Sequence, residues 1–277
     1  MIYLLLAIAS SASLSITMRL SEKTVKNNIS MLAVNYLMCL FMATLYTGVD
    51  NLYVNTEGMT TALLLGILNG FLYLYGFVLF QNNIKKNGVI LSSLFMKLGV
   101  LIPILMSIFI FKEVPGILQI IGFIIAIIAI IFMNYNKDSK DTFKYSLLLL
   151  MVEAGITDGM AKVYEQVGNP MLSEQFLFYT FLFAFVLCLG YTFMKKQTFT
   201  LEEVKYGLII GIPNYFSAKF LLLALGSVSA VIVYPTFSVG TIIVVTILGM
   251  VLFKERISIR QKFALLAILI ALVLLNL

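Results

Sequence analysis

The chain has 277 residues, 61% of them hydrophobic and 12% charged, with a net charge of +6 and a mean hydropathy of +1.03. A soluble domain carries about 25% charge, so this chain cannot cover a globule of its size in water, and lipid must solvate most of its surface. That excludes a water-soluble enzyme, and the scatter of basic residues between apolar runs excludes a nucleic-acid-binding surface. Histidine is absent, which removes the usual metal ligand and neutral-pH proton carrier; no metal and no cofactor are expected. Cys39 and Cys188 fall inside apolar runs and read as small apolar filler, not as a disulfide. With no Trp, interfacial belts rely on the 14 Tyr.

A bilayer core about 30 Å thick takes about 20 apolar residues in helix. Ten such runs follow one another, at 2–20, 31–47, 60–80, 88–110, 116–134, 144–164, 172–194, 204–224, 228–252 and 259–276. The first has no basic leader and no small-x-small cleavage site before a soluble domain, so it reads as a span and not a signal peptide. It carries Ser11, Ser13, Ser15 and Thr17 in alternation. That spacing spreads them around a helix, and some must bond only their own backbone. Span three holds Asn69, Tyr73 and Tyr75 with Gly66-x-x-x-Gly70; span four holds Lys97 and Pro103. Span six holds Glu153, Asp158 and Lys162 with Gly155-x-x-x-Gly159. Span eight holds Asn214, Tyr215 and Lys219 with Gly207-x-x-x-Gly211, and span nine holds Tyr234-Pro235. Small residues four apart let helix backbones approach closely, and proline removes a helix hydrogen bond within the membrane.

Phe111-Lys112-Glu113 and Phe253-Lys254-Glu255 lie 142 residues apart, close to half the chain, and Gln119/Gln261, Ala129/Ala271 and Asn134/Asn276 share that offset. The charged stretch Lys137 to Asp141 is the natural joint between two five-span units, 1–136 and 142–277. An odd number of spans per unit forces the two copies into opposite orientations. The expected fold is therefore an all-α membrane protein, ten transmembrane helices arranged as two inverted five-helix repeats. Of the basic residues, fifteen fall in alternate loops: Arg19, Lys23, Lys26, Lys85, Lys86, Lys137, Lys140, Lys144, Lys195, Lys196, Lys205, Lys254, Arg256, Arg260 and Lys262. Basic loops stay in the cytoplasm, so both termini are expected outside.

The two Lys-Glu junctions, between spans four and five and between spans nine and ten, together with Gln119-x-x-Gly122, resemble the drug/metabolite transporter superfamily of the EamA-like, ten-span kind. Gln261-x-x-Ala264 departs from the pattern mildly and keeps a small residue. The resemblance covers essentially the whole chain. It implies a central cavity lined by spans one to four and six to nine, with spans five and ten outside it.

Ionisable residues inside spans cost at least about 2.5 kcal/mol each at a helix centre, so they pair or line water. At about 1.5 Å per residue, Lys97 and Glu153 sit about 14 Å in from the basic-loop side, and Asp158 and Lys219 about 21 Å in. Two opposite-sign sets are expected, Lys97 with Glu153, and Asp158 with Lys219 or Lys162. They either clamp helices together or touch substrate. The candidate substrate-binding residues are Lys97, Glu153, Asp158, Lys219, Asn69, Asn214, Tyr215 and Tyr234. Glu153 is the candidate coupling-proton site, because a carboxyl group withdrawn from water holds its proton more readily; a neighbouring Lys97 works against that.

No ATP-binding motif is present, so uphill work falls to a proton, another ion or exchange with a counter-substrate. The expected function is secondary transport, by alternating access, of a small organic metabolite, an amino acid or related zwitterion or anion, across a bacterial plasma membrane. The alternatives are an exporter of drug-like or quaternary ammonium cations, which would prefer a cavity without Lys97 and Lys219, and, of other classes, a channel or sensor or a lipid-modifying membrane enzyme. The expected partners are the small-molecule substrate and the lipid bilayer, with no nucleic acid, in a monomer or homodimer.

Overall fold

The structure, a computed structural model, describes residues 2–102, 116–134, 145–225, 228, 230–255 and 258–274. The junction Phe111-Lys112-Glu113, the joint Lys137 to Asp141, Pro103, Lys144, Arg256 and Asn276 lie outside the described residues. So do the side chains of Gln119, Lys162, Pro235, Arg260 and Gln261.

Every described element is helical. Among the described residues ten helices run α1 Ile2–Ser21, α2 Asn28–Thr47, α3 Met59–Asn87, α4 Val89–Leu98 and α5 Ile117–Asn134, then α6 Tyr145–Val167, α7 Ser173–Met194, α8 Leu201–Leu225, α9 Ala230–Phe253 and α10 Ile259–Leu274. Six of them, α1, α2, α3, α7, α8 and α9, include a stretch long and apolar enough to cross a membrane. Short 3-10 turns at Val49–Asn51 and Pro170–Leu172 open the way into α3 and α7.

The largest helix contacts join the two halves of the chain. α1 packs on α8 and α9, α2 on α7 and α8, α3 on α6 and α7, α4 on α6 and α9, and α5 on α10. Without a hydrophobic drive inside lipid, such contacts rest on close packing, and the glycine pairs supply it. A Cβ added at Gly66 or Gly70 of α3 would stand 2.8 Å from Tyr179 Cβ or Thr180 O of α7. A Cβ at Gly207 or Gly211 of α8 would stand 2.7 Å from Met31 O or Asn35 O of α2. The two pairs occupy near-equivalent places in the two halves. α5 and α10 turn rows of large aliphatic residues outward, among them Ile120, Ile124, Ile128, Leu266 and Ile270, a surface that suits lipid.

The expected span at 88–110 is interrupted where it is described. α4 ends at Leu98, and the chain turns through Gly99 and Val100 before helix resumes at 101–102. Gly99 N–H donates to Met96 O (3.2 Å), Val100 N–H to Lys97 O (3.4 Å) and Ile102 N–H to Gly99 O (2.8 Å), so each bond reaches back only three residues. Proline at position 103 supplies no N–H for the Gly99 carbonyl, which accepts from Ile102 instead.

Candidate functional site

A cavity of about 130 Å³ lies where α1, α3, α4, α6, α8 and α9 meet. Its polar lining comprises Ser11 of α1, Tyr73 of α3, Lys97 of α4, Glu153, Thr157 and Asp158 of α6, and Asn214 and Ser217 of α8. Leu14, Phe77, Phe80, Met96 and Phe237 belong to its apolar wall. Among the described residues neither α2 nor α7 contributes to the lining, although the resemblance implied that spans two and seven would. Both helices instead fill the grooves at Gly207/Gly211 and Gly66/Gly70. The described residues of α5 and α10 are likewise absent from the lining.

Local sequence explains how the charges are aimed. α4 and α6 cross at glycine on glycine: a Cβ at Gly99 would stand 2.6 Å from Gly155 N, and one at Gly155 would overlap Gly99 O and the Ile102 side chain. Lys97 and Glu153 each precede their crossing glycine by two residues, so the crossing delivers an ammonium and a carboxylate to one chamber. Lys97 is 8% exposed and Glu153 5%. Glu153 accepts a hydrogen bond from Thr157 Oγ1 one turn later at 2.9 Å. Its carboxylate lies against Gly76 of α3, where any Cβ would overlap it. Pro213 falls inside α8 immediately before Asn214, removing one ladder bond beside the cavity. Asn214 donates to Asn35 Oδ1 of α2 at 3.2 Å.

The pairing of Lys219 differs from the sequence expectation, while Lys162, the other expected partner of Asp158, has its side chain outside the described residues. Lys97 places its ammonium 3.9 Å from the ring centroid of Phe237, and it shares the cavity with the carboxylates of Asp158, with which it interacts electrostatically, and Glu153. Lys219 does not line the cavity. It forms an ion pair with Glu174 Oε1 at the start of α7 (2.8 Å), donates to Tyr215 Oη (3.3 Å) and lies 3.3 Å from the Tyr46 ring centroid. The reason is geometric: α8 packs on α1 and α2, whereas Asp158 stands on α6, which packs on α3 and α4. Tyr215 is fully buried, stacks on Tyr46 and donates to Glu174 Oε2 at 3.0 Å. Asn69 faces α7 and donates to Thr180 Oγ1 at 3.5 Å. Tyr234 packs with the apolar cluster around Leu91, Leu94 and Phe95. In α1, Ser15 and Thr17 bond the carbonyls of Ser11 and Ser13 one turn back, leaving Ser11 to the cavity.

Lys219→Ala is expected to cost about 1–3 kcal/mol of stability, the range of a partly buried charged hydrogen bond and a cation–π contact together. A thermal-shift assay of the detergent-solubilised protein reads it as a lowered melting temperature, with Lys219→Arg recovering most of the loss.

Residues outside the candidate set also matter. Thr157 was visible in principle as a hydroxyl four residues after Glu153. Gly76 and Phe237 gave no signal, because each acts through a contact with a helix distant in sequence.

A family model described as the EamA-like transporter family matches residues 1–135 and 145–277. An uncharacterized protein of Haemophilus influenzae is 29% identical over 190 residues, which are 66% of this chain and 64% of that protein's length. A crystal structure of another protein superimposes with a TM-score of 0.65 over 99% of this chain and 94% of its own, at 14% identity. At that identity the likeness shows the fold alone.

Proposed function

The chain belongs to the EamA-like transporter family, and from that premise we propose that it is a multi-pass secondary carrier of a small zwitterionic metabolite, of the amino-acid class. The observation that carries the reading is the cavity itself, with Lys97 on the α4 wall and Glu153 and Asp158 on the α6 wall. An ammonium and two carboxylates in one cavity are complementary to a ligand bearing both signs. Low dielectric strengthens each pairing, and a ligand that lacked one sign would leave a buried charge unmatched. Size supports the same class. A water position needs about 10–15 Å³ of such volume, so the chamber holds on the order of ten non-hydrogen atoms, the scale of a small metabolite.

In this reading Lys97 takes the substrate carboxylate, Asp158 and Glu153 its ammonium, and Asn214, Ser217 and Ser11 the remaining polar atoms. Lys219, Tyr215, Asn69 and Tyr234 serve packing. The two halves, taken as inverted five-helix repeats, rock about the cavity to expose it alternately to each side of the plasma membrane, with both termini outside. Glu153 is the group able to carry a coupling proton, since Thr157 is its hydrogen-bond donor and releases it without breaking a helix. A cation exporter is the weaker reading, because Lys97 would repel its cargo.

The test is counterflow into proteoliposomes. Preloading with an amino acid is expected to accelerate uptake of the labelled compound, and quaternary ammonium compounds are expected to have no effect. Uptake indifferent to what is loaded inside contradicts a carrier, and acceleration by quaternary ammonium alone reverses the assignment of substrate sign.

A further inference from the structure

Phe253-Lys254-Glu255, the second copy of the repeated segment, does not line the cavity, yet its Glu255 makes a long-range set of polar contacts on the basic-loop side. Glu255 Oε1 accepts from Val89 N–H at 2.9 Å, and Oε2 from Ile90 N–H at 3.1 Å. These are the first two amides of α4, a helix whose own preceding residue, Gly88, offers no side-chain cap. Gly88 also gives the carboxylate room, since a Cβ there would stand 2.8 Å from Glu255 Oε1. Arg19, near the end of α1, pairs with Glu255 Oε1 at 3.3 Å, donates to Ile84 O of α3 at 3.3 Å and lies 5.9 Å from the Phe253 ring. Lys254 adopts φ +54°, a left-handed conformation uncommon outside glycine, and that turn lets the chain leave α9 with Glu255 facing back towards α4.

A carboxylate on a helix N-terminus satisfies amides that would otherwise lack partners and complements the helix dipole. Here the cap is borne by one half of the chain and the helix by the other, and the helix is the one that carries Lys97 in its last turn. We propose that Glu255 is a positioning residue and the basic-side latch of the cavity, holding α4, and through it Lys97, against α1 and α9 until the cavity opens towards the basic loops. The inference rests on the carrier reading for the meaning of opening, but its test needs no substrate.

The test places a reporter, Ser11→Cys, on the cavity wall of the full-length protein in proteoliposomes and measures its alkylation by a membrane-impermeant maleimide from the basic-loop side. The protein without the reporter corrects for the buried Cys39 and Cys188. Glu255→Gln is expected to raise the alkylation rate about tenfold, within the range of ordinary conformational couplings. Glu255→Asp should fall between it and the parent, and Arg19→Gln should act in the same direction by less. A role confined to stability predicts lowered melting with unchanged labelling, and that result overturns the proposal. Should Glu255→Gln fail to fold, Arg19→Gln decides alone: parent-like labelling overturns the latch, and faster labelling upholds it. A protein that shows no counterflow with any amino acid, yet labels faster in Glu255→Gln, has lost the substrate assignment and kept the latch.

Discussion

Lys97→Met is expected to weaken transport of a zwitterionic substrate far more than it changes the stability of the protein. Loss of a buried charged hydrogen bond costs about 2–3 kcal/mol, so the half-saturating concentration should rise by about 30- to 150-fold. Stability is expected to change less, because opposing effects meet at this position. Methionine fills the same space against Phe237 and removes a cation whose withdrawal from water costs several kcal/mol. The attraction between ammonium and ring that disappears with it, about 2 kcal/mol, and the loss of a cation beside the buried Asp158 carboxylate offset that gain. Counterflow in proteoliposomes and melting in detergent, measured on one preparation, separate the two effects. A clamp predicts the reverse pattern, with melting lowered and transport per folded molecule preserved, and would remove Lys97 from the site.

The second large effect concerns glycine at the α4–α6 crossing. Gly155→Ala places a methyl group into Gly99 O and Ile102, and neither backbone nor branched side chain can retreat without parting the helices. Overpacking of this kind costs about 1–3 kcal/mol and occasionally more, and it displaces the wall that bears Glu153. The counterpart is Gly190→Ala on α7, where an added Cβ meets nothing within 4 Å. There the gain in helix propensity, about 0.5–1 kcal/mol, stands alone. Melting temperatures are expected to shift in opposite directions, down for Gly155→Ala and up for Gly190→Ala, and only the first should impair transport. Equal shifts of the same sign would mean that the two helices do not cross so closely.

Why some of this was legible in the sequence and some not follows from range. Apolar runs of about 20 residues place each helix on their own, so all ten helix positions could be read directly. The glycine pairs on α3 and α8 were legible because their spacing is itself the packing signal. Lys97, Glu153 and Asp158 stood out because charge within an apolar run is costly wherever it occurs, and depth counted from the helix start brought them to neighbouring levels. Their partners were not legible. Glu174 sits in the first turn of α7, where nothing local marks it as the residue that holds Lys219. Phe237 is one of 22 phenylalanines, and nothing local marks it as the ring beneath an ammonium. The break after Leu98 was signalled by Pro103, but which carbonyl would be left to a shorter bond needed the traced backbone. Glu255 was noticed for its repetition, and its role stayed hidden because the amides it caps lie 165 and 166 residues away.

The preference of each helix for partners in the opposite half bears on how such a chain is made. When α1 to α5 have entered the bilayer, the surfaces at Gly66, Gly70 and Gly99 that α6 and α7 will cover still face lipid, and α1 and α2 still await α8. Until synthesis delivers its counterpart, the early half has only the lesser contacts among α1, α2, α3 and α4 available to it. Assembly is then a late interleaving of two unfinished sets and not the docking of two finished ones.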